Sequence, residues 1–529
     1  MTDSPSRIEN AALSRHDDLF IRLIVFLGGM TSVGTELSVS RLIAPFFGDS
    51  TFIWANLIGL TLTFLAIGYW LGGRAADRYP RLWVLYSITA AAALWCALLP
   101  FLARPILEFS LDAFDQVAVG AFYGSLLGVL LILSVPITLL GFVSPYAIRL
   151  RIANVTQAGH TSGNIYALGT VGSIAGSFLP VLVLIPWVGT VRTFLILGAL
   201  LFIPSAIGLL RLRAIPQVSA MAIGATMVAL LVTLNIGGPI RPAQGGELIY
   251  ETESRDNYIQ VVQDGTSTEL SLNEGHATHS IYDPAQPLTR GPWDYFMVAP
   301  LFNRTPSTAQ IDNALLIGLA GGTVSKQLTA AYGPIPIDGV EIDPEIAAVG
   351  REYFGMTEPN LNVIVEDGRY VLRTTDTTYD LIGVDAYKQP YIPFQLTTRE
   401  FFQEVSGQLT PQGVAVINVG RTETDYRLVD VIASTMKDVF PNVYVIDTEF
   451  YANSIVIGTN SPTELANFSS SVNAQPADSL VRTVGESSIA TGNVREVTEV
   501  TRVFTDDHAP VERVVDQIII DAAREENAP

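Results

Sequence analysis

The residue types with the clearest chemical use in this sequence are glycines and carboxylates that follow short apolar runs between residues 314 and 385. Gly318, Gly321 and Gly322 form a glycine-rich turn at the end of the first run. Such a turn lets the backbone approach a ligand, and the helix that begins there supplies free N–H groups. Carboxylates follow the next three runs: Glu341, Asp343, Asp367 and Asp385. The pattern is typical of a nucleotide or nucleoside site.

The spacing suggests a role for each acid. Glu341 ends the strand after the glycine turn, where a carboxylate can accept hydrogen bonds from ribose hydroxyls. Asp343, two residues further on, is predicted to contact the same ligand, and Asp367 with Gly368 should border the adenine. A glycine turn alone is also compatible with plain packing, and a single acid with surface placement. Their shared position at strand ends favours one nucleoside pocket, because these ends converge on one crevice of a doubly wound sheet.

The elements that must position these residues alternate between strand and helix, which indicates a Rossmann-like α/β domain over residues 311–460. Apolar runs predict strands at 314–319, 336–341, 361–365, 379–385, 413–419, 442–447 and 453–458. Helices are predicted near 323–332, 344–354, 368–375, 397–410 and 425–439. The ends of the first four strands carry the glycine turn and the acids.

Residues 240–310 predict a small antiparallel β domain. The runs 257–265 and 268–275 alternate polar and apolar residues and end in Asp-Gly and Glu-Gly turns. His276 and His279 are three residues apart, a spacing that directs them to opposite faces of a strand. We therefore predict no metal site there.

The carboxyl-terminal segment, residues 461–529, is predicted to pack on the α/β domain. Its first part, 461–495, is rich in Ser, Thr, Asn and Gly and predicts a loop. A short helix is predicted near 513–525.

The amino-terminal half has a different composition. After a polar tail at residues 1–18, residues 19–239 contain charge-free apolar runs long enough to cross a bilayer, which takes about 20 residues each. Seven spans are predicted: 19–43, 52–73, 82–103, 117–141, 163–186, 193–210 and 215–236. The fourth run continues past its span and predicts a kink or a re-entrant tail. Glycines at four-residue spacing favour one transmembrane helical bundle.

Charge also divides the chain near residue 239. Residues 1–239 carry 13 Arg and 10 acids, a net charge of +3. Residues 240–529 carry 18 basic and 41 acidic residues, a net charge of −23, and the two halves sum to the −20 of the whole chain. An acidic carboxyl-terminal half disfavours nucleic acid as a partner and attracts cations, although acidity also serves solubility alone.

The arginines that border the spans suggest an orientation in a cell membrane. With the amino terminus inside, ten arginines lie on the inner side and four at or beyond the outer ends, in line with the positive-inside rule. Seven spans then place the carboxyl-terminal domain outside, whereas one re-entrant span would return it to the cytoplasm. Glu36 is the one acid within a span, and it is either functional or paired with Arg41 or a helix carbonyl.

Four stretches carry a family resemblance: Ile317–Gly322, Val340–Glu345, Glu366–Arg369 and Tyr379–Asp385. Together they resemble the core of spermidine synthases, polyamine aminopropyltransferases with the fold of class I AdoMet-dependent methyltransferases. Tyr258–Val261 and Leu270–Gly275 are similar to that family's amino-terminal strand domain. The whole chain, including the tail Thr505–Glu512, resembles the membrane-fused branch of the family.

The resemblance implies a ligand and a reaction. The co-substrate would be decarboxylated S-adenosylmethionine, or S-adenosylmethionine itself, with no permanently bound cofactor. A small cationic amine would attack the carbon next to the sulfonium, which requires positioning, an acidic pocket and a base for the amine proton. Asp385 is the predicted base. The predicted amine contacts are Tyr258, Gln260, Tyr387 and Tyr391.

One departure from the family pattern leaves the activity open. Soluble members end the fourth strand with Asp-x-x-Asp-Pro, whereas Lys388 stands here at the second acid. Three hypotheses follow: aminopropyl transfer to a polyamine or other amine, methyl transfer from S-adenosylmethionine, and a non-catalytic module that senses an adenosyl ligand or polyamine and regulates the bundle. The expected partners are an amine and a lipid bilayer, with no nucleic acid; a homo-oligomer is also considered.

Overall fold

The chain divides into two compact units, Met1–Pro242 and Ala243–Pro529. A computed structural model describes residues 14–48, 51–113, 120–152, 158–234, 240–243, 245–273, 277–303, 310–388 and 390–526. In these residues the first unit is helical, and the second contains a four-stranded and an eight-stranded sheet.

The helices of the first unit are long and apolar. They are α1 (Arg15–Phe47), α2 (Thr51–Arg78), α3 (Leu82–Asp112), α4 (Gly120–Gly141), α5 (Val143–Arg151), α6 (Ala158–Leu179), α7 (Ile185–Arg211) and α8 (Ile215–Thr233). The predicted kink or re-entrant tail in the fourth run stays a prediction: α4 and α5 meet at Phe142, whose φ −63° and ψ −25° are helical. Glu36 lies within α1 and is partly buried.

Six helical segments among the described residues are long and apolar enough to cross a membrane. One of them, Ala158–Arg211, has 54 residues and contains two of the seven predicted spans. A π-helical turn, Pro180–Leu184, joins α6 to α7, and the helical backbone then breaks at Gly189, with φ 79° and ψ 168°. The two predicted spans lie largely on either side of this break, and the count of seven stays a prediction.

Glycines sit where helices of the first unit make close contact. A Cβ on Gly172 of α6 would lie 2.0 Å from the carbonyl oxygen of Phe26 on α1. A Cβ on Gly68 of α2 would lie 2.3 Å from the carbonyl oxygen of Thr138 on α4. A larger residue would therefore force these backbones apart, as expected for small residues at helix interfaces.

The second unit begins with the small antiparallel sheet expected from its turns. Its strands pair in chain order: β1 (Glu247–Glu253), β2 (Tyr258–Asp264), β3 (Ser267–Leu272) and β4 (Thr278–Tyr282). A 3-10 helix, Pro292–Phe302, follows, and all of its residues are buried. Its apolar side chains belong to the core of the larger sheet rather than to the small one.

The larger sheet is a doubly wound sheet with an antiparallel edge. Its strands are β5 (Ala314–Ile317), β6 (Ile337–Glu341), β7 (Leu361–Val365), β8 (Tyr379–Val384), β9 (Leu409–Gly420), β10 (Asn442–Asp447), β11 (Asn453–Thr459) and β12 (Val494–Val497). The spatial order is β12-β10-β11-β9-β8-β5-β6-β7. The five neighbouring strands β9, β8, β5, β6 and β7 are parallel to one another. The strand predictions are confirmed, although β9 begins at Leu409 rather than at 413.

Helices cover both faces of this sheet. They are α9 (Thr323–Tyr332), α10 (Pro344–Tyr353), α11 (Gly368–Thr374), α12 (Arg399–Gln408), α13 (Arg427–Lys437), α14 (Leu465–Ala474), α15 (Leu480–Ala490) and α16 (Val511–Glu526). Alternate residues of β5 point to opposite cores: Leu315 and Ile317 to one, Ala314 and Leu316 to the other. Burial on both faces explains the continuous apolar runs.

The prediction of a loop at 461–495 is wrong, because α14, α15 and β12 occupy most of that range. Phe468 and Val472 of α14 are buried against the 3-10 helix, and the Phe468 and Phe302 rings stack with centroids 4.4 Å apart. The Ser and Asn content of the segment suggested a loop. Its apolar residues are few, but they recur at helical spacing, and their packing stabilises the helices. The predicted helix near 513–525 is confirmed as α16.

Candidate functional site

The glycine turn lies at the switch point of the doubly wound sheet, where the chain leaves β5 for β6 on one side and β8 lies on the other. Gly318 has φ +90°, and a Cβ on it would lie 2.4 Å from the carbonyl oxygen of Asp385. The Asp385 N–H in turn donates to the Ile317 carbonyl at 2.9 Å. The turn after β5 and the residue after β8 are therefore packed backbone to backbone at the mouth of the crevice.

Glu341 ends β6 and closes the other side of the turn. Its carboxylate accepts hydrogen bonds from the N–H groups of Ala320 at 2.9 Å and Asp343 at 3.1 Å. The side chain is 6% exposed, and burial raises the pKa of Glu341 to about 7. Ala320 itself has φ +48°, an unusual conformation for a residue with a Cβ. A donor supplied by a ligand would favour the ionised carboxylate.

Two further glycines complete the turn. The Gly321 N–H donates to Ser280 Oγ on β4 at 2.8 Å, so it contacts the small sheet. Gly322 has φ +80° and stands at the amino-terminal cap of α9. The sequence assigned both glycines to ligand contact. The structure assigns the Gly321 N–H to holding the small sheet against the turn.

Asp367 and Gly368 stand at the start of α11, after β7. The Asp367 carboxylate caps this helix by accepting the Tyr370 N–H at 2.8 Å. A Cβ on Gly368 would lie 2.3 Å from Ile317 Cγ2, so the helix start packs directly on the end of β5. This contact brings the predicted adenine-bordering residues to the same crevice as the glycine turn.

Asp343 has a different position from the one its spacing suggested. It is fully buried, and Oδ1 caps α10 by accepting the Glu345 N–H at 3.0 Å. Oδ2 accepts the Asn257 side-chain amide at 2.8 Å and the Ser254 hydroxyl. Both oxygens are used within the protein, so Asp343 ties α10 to the β1–β2 turn and has a positioning role.

Asp385 follows β8 and is held by two donors from distant parts of the chain. Trp293 Nε1 donates to Oδ2 at 2.9 Å, and Asn418 Nδ2 donates to Oδ1 at 2.9 Å. Burial raises the pKa of Asp385 to about 6, and the two hydrogen bonds act in the opposite direction. Each oxygen keeps capacity for another proton donor, so the group can serve as a base near neutral pH.

Tyr258 and Gln260 form a buried polar cluster on β2 with Glu251 of β1. The Tyr258 hydroxyl donates to the Glu251 carboxylate and accepts the Gln260 amide, the latter at 2.9 Å. Both predicted amine contacts are 4% exposed. The structure thus brings these two residues together, with a carboxylate that the sequence prediction did not include.

Tyr387 and Tyr391 are committed to other partners. The Tyr387 hydroxyl donates to the Asn418 carbonyl and accepts the Gly420 N–H, both at 2.9 Å. Burial raises the pKa of Tyr387, and the nearby charge of Asp385 adds to that effect. The Tyr391 hydroxyl donates to Asp516 of α16 at 2.7 Å. Both tyrosines therefore hold the loop after Asp385 in place, which differs from the predicted contact with an amine.

Lys388 lies in this loop. Its backbone exchanges hydrogen bonds with that of Tyr391, at 2.8 and 3.0 Å, and its side chain is exposed. An ammonium group in water repels a cationic substrate less than a buried one, because solvent and salt screen it.

Sequence reasoning missed Trp293, Asn418 and Tyr451. The Tyr451 ring lies in the β10–β11 hairpin and meets the Trp293 ring edge-on, with centroids 6.3 Å apart. Burial raises the pKa of Tyr451, and the charges of Glu269 and Asp294 raise it further. Asp294 accepts hydrogen bonds from the turn at Thr289 and thereby fixes the start of the 3-10 helix. No local motif marks these residues, which lie 92, 33 and 66 positions from Asp385.

His279 lies in β4, and its partner in the notional metal pair, His276, lies outside the described residues. Across the part of the chain that the structure describes, no group of three or more His, Cys, Asp or Glu side chains is arranged to hold a metal ion.

A doubly wound sheet with a glycine turn and strand-end acids at its switch point is the arrangement of Rossmann-like nucleoside-binding proteins. Comparison with known proteins narrows this class. The family model for the spermine/spermidine synthase domain matches residues 304–467. The polyamine aminopropyltransferase of Vibrio vulnificus is 31% identical over 230 residues, which cover 41% of this chain and 72% of that protein.

A probable polyamine aminopropyl transferase of Bifidobacterium longum is 32% identical over 299 residues, 52% of this chain; the chain spans 65% of that relative's length. A probable spermidine synthase of known structure from Corynebacterium glutamicum is 21% identical, with a TM-score of 0.36 over 50% of this chain and 96% of that one. On the family model and the sequence relatives, the chain belongs to the spermidine synthase-like family of polyamine aminopropyltransferases.

Proposed function

We propose that this protein is a membrane-bound aminopropyltransferase, which transfers an aminopropyl group from decarboxylated S-adenosylmethionine to a polyamine or another amine. The observation that carries the proposal is the position of Asp385, whose backbone packs directly against the Gly318 turn of a nucleoside-type crevice and whose carboxyl group has a raised pKa. Family membership supports the reaction class, and this geometry supports Asp385 as a base beside the proposed nucleoside site.

In the proposed reaction the nitrogen lone pair of the amine forms a C–N bond to the methylene carbon next to the sulfonium. The C–S bond breaks, its electron pair stays on sulfur, and methylthioadenosine leaves. The attacking nitrogen must lose a proton, which Asp385 accepts. Trp293 and Asn418 hold the carboxylate, whose oxygens keep lone pairs for a further proton donor, and positioning of this kind can supply a large part of the rate in such displacements.

Several groups suit a cationic acceptor on this side of the crevice. Trp293 and Tyr451 provide aromatic surface, which attracts ammonium groups. Burial raises the pKa of Tyr451 most, and the nearby negative charges of Glu269 and Asp294 raise it further. Lys388 replaces the usual second acid, so we propose that these groups hold the distal charge of the amine and that Asp385 alone takes the proton. Glu341 and the start of α11 at Asp367 and Gly368 would hold the nucleoside.

The membrane part of the proposal rests on the first unit. A helix of 54 residues would be about 81 Å long, whereas the apolar core of a bilayer is about 30 Å thick. Because Ala158–Arg211 is broken at Gly189, we propose that this segment crosses twice and that the unit has seven crossings.

The test uses the full chain in detergent or nanodiscs with decarboxylated S-adenosylmethionine and a panel of diamines and polyamines. We expect methylthioadenosine release, measured by mass spectrometry, and a loss of at least about a hundredfold in Asp385→Asn. Asp376→Asn, an exposed acid at the opposite end of β8, is the matched control and should keep full activity.

Methylthioadenosine binding, measured by calorimetry, should survive in Asp385→Asn. If no amine releases methylthioadenosine although the chain binds it, aminopropyl transfer is wrong. A methylated amine formed from S-adenosylmethionine would point to methyl transfer instead.

A further inference from the structure

The segment between β12 and α16, residues 498–510, is here termed the C-terminal strap. It lies across α13 and α12 and contains a turn at Thr505–His508. The Thr501 N–H donates to Ser434 Oγ at 2.8 Å, and the Phe504 N–H donates to Thr435 Oγ1 at 3.0 Å. The Phe504 side chain is fully buried, and its carbonyl accepts the Arg399 N–H at 2.8 Å. The strap is therefore an integral part of the second unit.

The strap reaches the nucleoside side of the crevice through Asp506. Arg369, the second residue of α11, directs Nη1 and Nη2 to the two Asp506 oxygens at 2.8 and 2.9 Å. Its Nε and Nη2 donate to Glu404 of α12, both at 2.8 Å, and Nη1 also donates to the Gln395 carbonyl at 3.0 Å. The Arg369 side chain is 8% exposed. Thr398 adds a hydrogen bond to Asp506 at 2.6 Å.

These contacts bear directly on the predicted adenine-bordering residues. Arg369 follows Gly368, whose backbone packs on Ile317, and Asp367 caps the same short helix. A helix of seven residues has little stability by itself. A bidentate ion pair at its first turn, between the buried Arg369 and the exposed Asp506, is a stronger and more directional restraint than neutral hydrogen bonds. Asp506 thus restrains the start of α11 where it meets the crevice.

The same C-terminal segment holds the acceptor side of the crevice. Asp516 of α16, ten residues after Asp506, accepts the Tyr391 hydroxyl at 2.7 Å. The Tyr391 backbone is paired with that of Lys388, three residues after Asp385. The loop that follows Asp385 is therefore held by α16, and the start of α11 is held by the strap.

We propose that residues 498–526 act as a clamp that positions both substrate sites: Asp506 aligns the nucleoside site through Arg369, and Asp516 aligns the amine site through Tyr391. Each carboxylate acts in this proposal through a protein side chain, Arg369 or Tyr391, so both are positioning residues. The identities of the two ligands rest on the proposed function, but the division of labour between the two aspartates is a separate claim.

The test compares Asp506→Asn and Asp516→Asn with Asp507→Asn, an exposed neighbour in the strap. Asn keeps the shape of Asp and removes the charge, so the clamp should loosen without unfolding. In Asp506→Asn we expect the Kd for methylthioadenosine to rise about tenfold with the amine KM changed less than twofold. In Asp516→Asn we expect the amine KM to rise severalfold with the methylthioadenosine Kd unchanged. Asp507→Asn should match the unaltered chain in both.

Thermal unfolding is measured for all three variants. Unchanged Kd and KM values, or an equal loss in both variants that follows the melting temperature, would show that the segment only stabilises the fold and would overturn the clamp. If the chain binds methylthioadenosine but transfers nothing, the proposed function fails. The clamp can still be tested: the Kd for methylthioadenosine in Asp506→Asn decides the nucleoside site, and the Kd for putrescine in Asp516→Asn decides the amine site. A chain that binds no nucleoside overturns both proposals.

Discussion

Asp385 is held by two neutral donors in a partly buried position, and this determines how it can act at the residue scale. Trp293 and Asn418 each satisfy one oxygen, which lowers the cost of charge without neutralising it. Burial outweighs them and leaves the pKa of Asp385 at about 6. A base of this strength is ionised at neutral pH and still accepts a proton more readily than an ordinary aspartate.

The pH dependence of the reaction should report this group. Protonated Asp385 cannot accept the amine proton, so we expect kcat/KM to fall about tenfold per pH unit below pH 6. Trp293→Phe removes a donor that favours the ionised form, so the pKa should rise and the acidic limb should move to higher pH by about 0.5–1 unit. The measurement is kcat/KM against pH in the full chain.

Trp187→Phe is the control, because Trp187 is 82% exposed in the first unit. A limb that stays in place or moves to lower pH in Trp293→Phe would show that the indole does not tune Asp385.

Glu341 should couple nucleoside binding to proton release. In the ligand-free protein its pKa is raised to about 7, so much of it is protonated at pH 6. Ribose hydroxyls donate to the ionised form and lower the pKa, so binding should expel a proton and weaken as pH falls below 7. Calorimetry with methylthioadenosine at pH 6, in two buffers of different ionisation enthalpy, measures the number released.

We expect a fraction of one proton, and about none in Glu341→Gln. Equal release by both chains would assign the proton to another group.

At the scale of elements, the shape of the crevice depends on the turn between β5 and α9. Gly318 has a positive φ, and the Asp385 carbonyl occupies the space that a Cβ would need. Gly333, at the end of α9, has φ +82° but open space around it. The two positions therefore separate the cost of backbone conformation from the cost of steric contact.

We expect Gly333→Ala to destabilise the protein by about 1–3 kcal/mol, the cost of a backbone conformation (φ +82°, ψ −171°) that residues with a Cβ rarely adopt. Gly318→Ala should cost more, because it must also move the end of β8, and it should reduce methylthioadenosine affinity. Thermal unfolding and calorimetry of both variants provide the measurements. Equal stability losses and equal affinities would show that the β5–β8 contact does not shape the crevice.

At the scale of the whole molecule, a nearly neutral helical half, residues 1–239, is joined to a strongly acidic half, residues 240–529, with net charges of +3 and −23. The first unit exposes many large apolar side chains, among them Trp187, Ile223 and Leu230, which is expected of helices that face lipid. The acidic unit should attract polyamine cations and repel nucleic acid.

Reporter fusions can establish the membrane arrangement. With seven crossings and an inside amino terminus, a fusion at Ala214, after Arg211 and Arg213, should report the cytoplasm. A fusion at the carboxyl terminus should report the outside, and an amino-terminal fusion serves as the inside control. A cytoplasmic carboxyl terminus would contradict two crossings by Ala158–Arg211 and would put the crevice on the side where cytosolic nucleosides are available.

Local sequence determined the elements of the second unit and the positions of the glycine turn and strand-end acids. Apolar periodicity and turn residues act over a few positions, so they can be read without knowing the fold. This was sufficient for β5 to β8 and for the family resemblance. It failed at 461–495, where α14 and α15 are stabilised by packing against a distant helix rather than by their own composition.

Only the tertiary structure decided which side chains meet. Trp293 contacts Asp385 across 92 positions, and Asp506 contacts Arg369 across 137. It also gave Asp343 and Tyr391 partners within the protein in place of the predicted ligand contacts. Such pairings depend on the order of the strands and on the packing of the helices. They cannot be read from one sequence, because the geometry of the folded chain determines which residues meet.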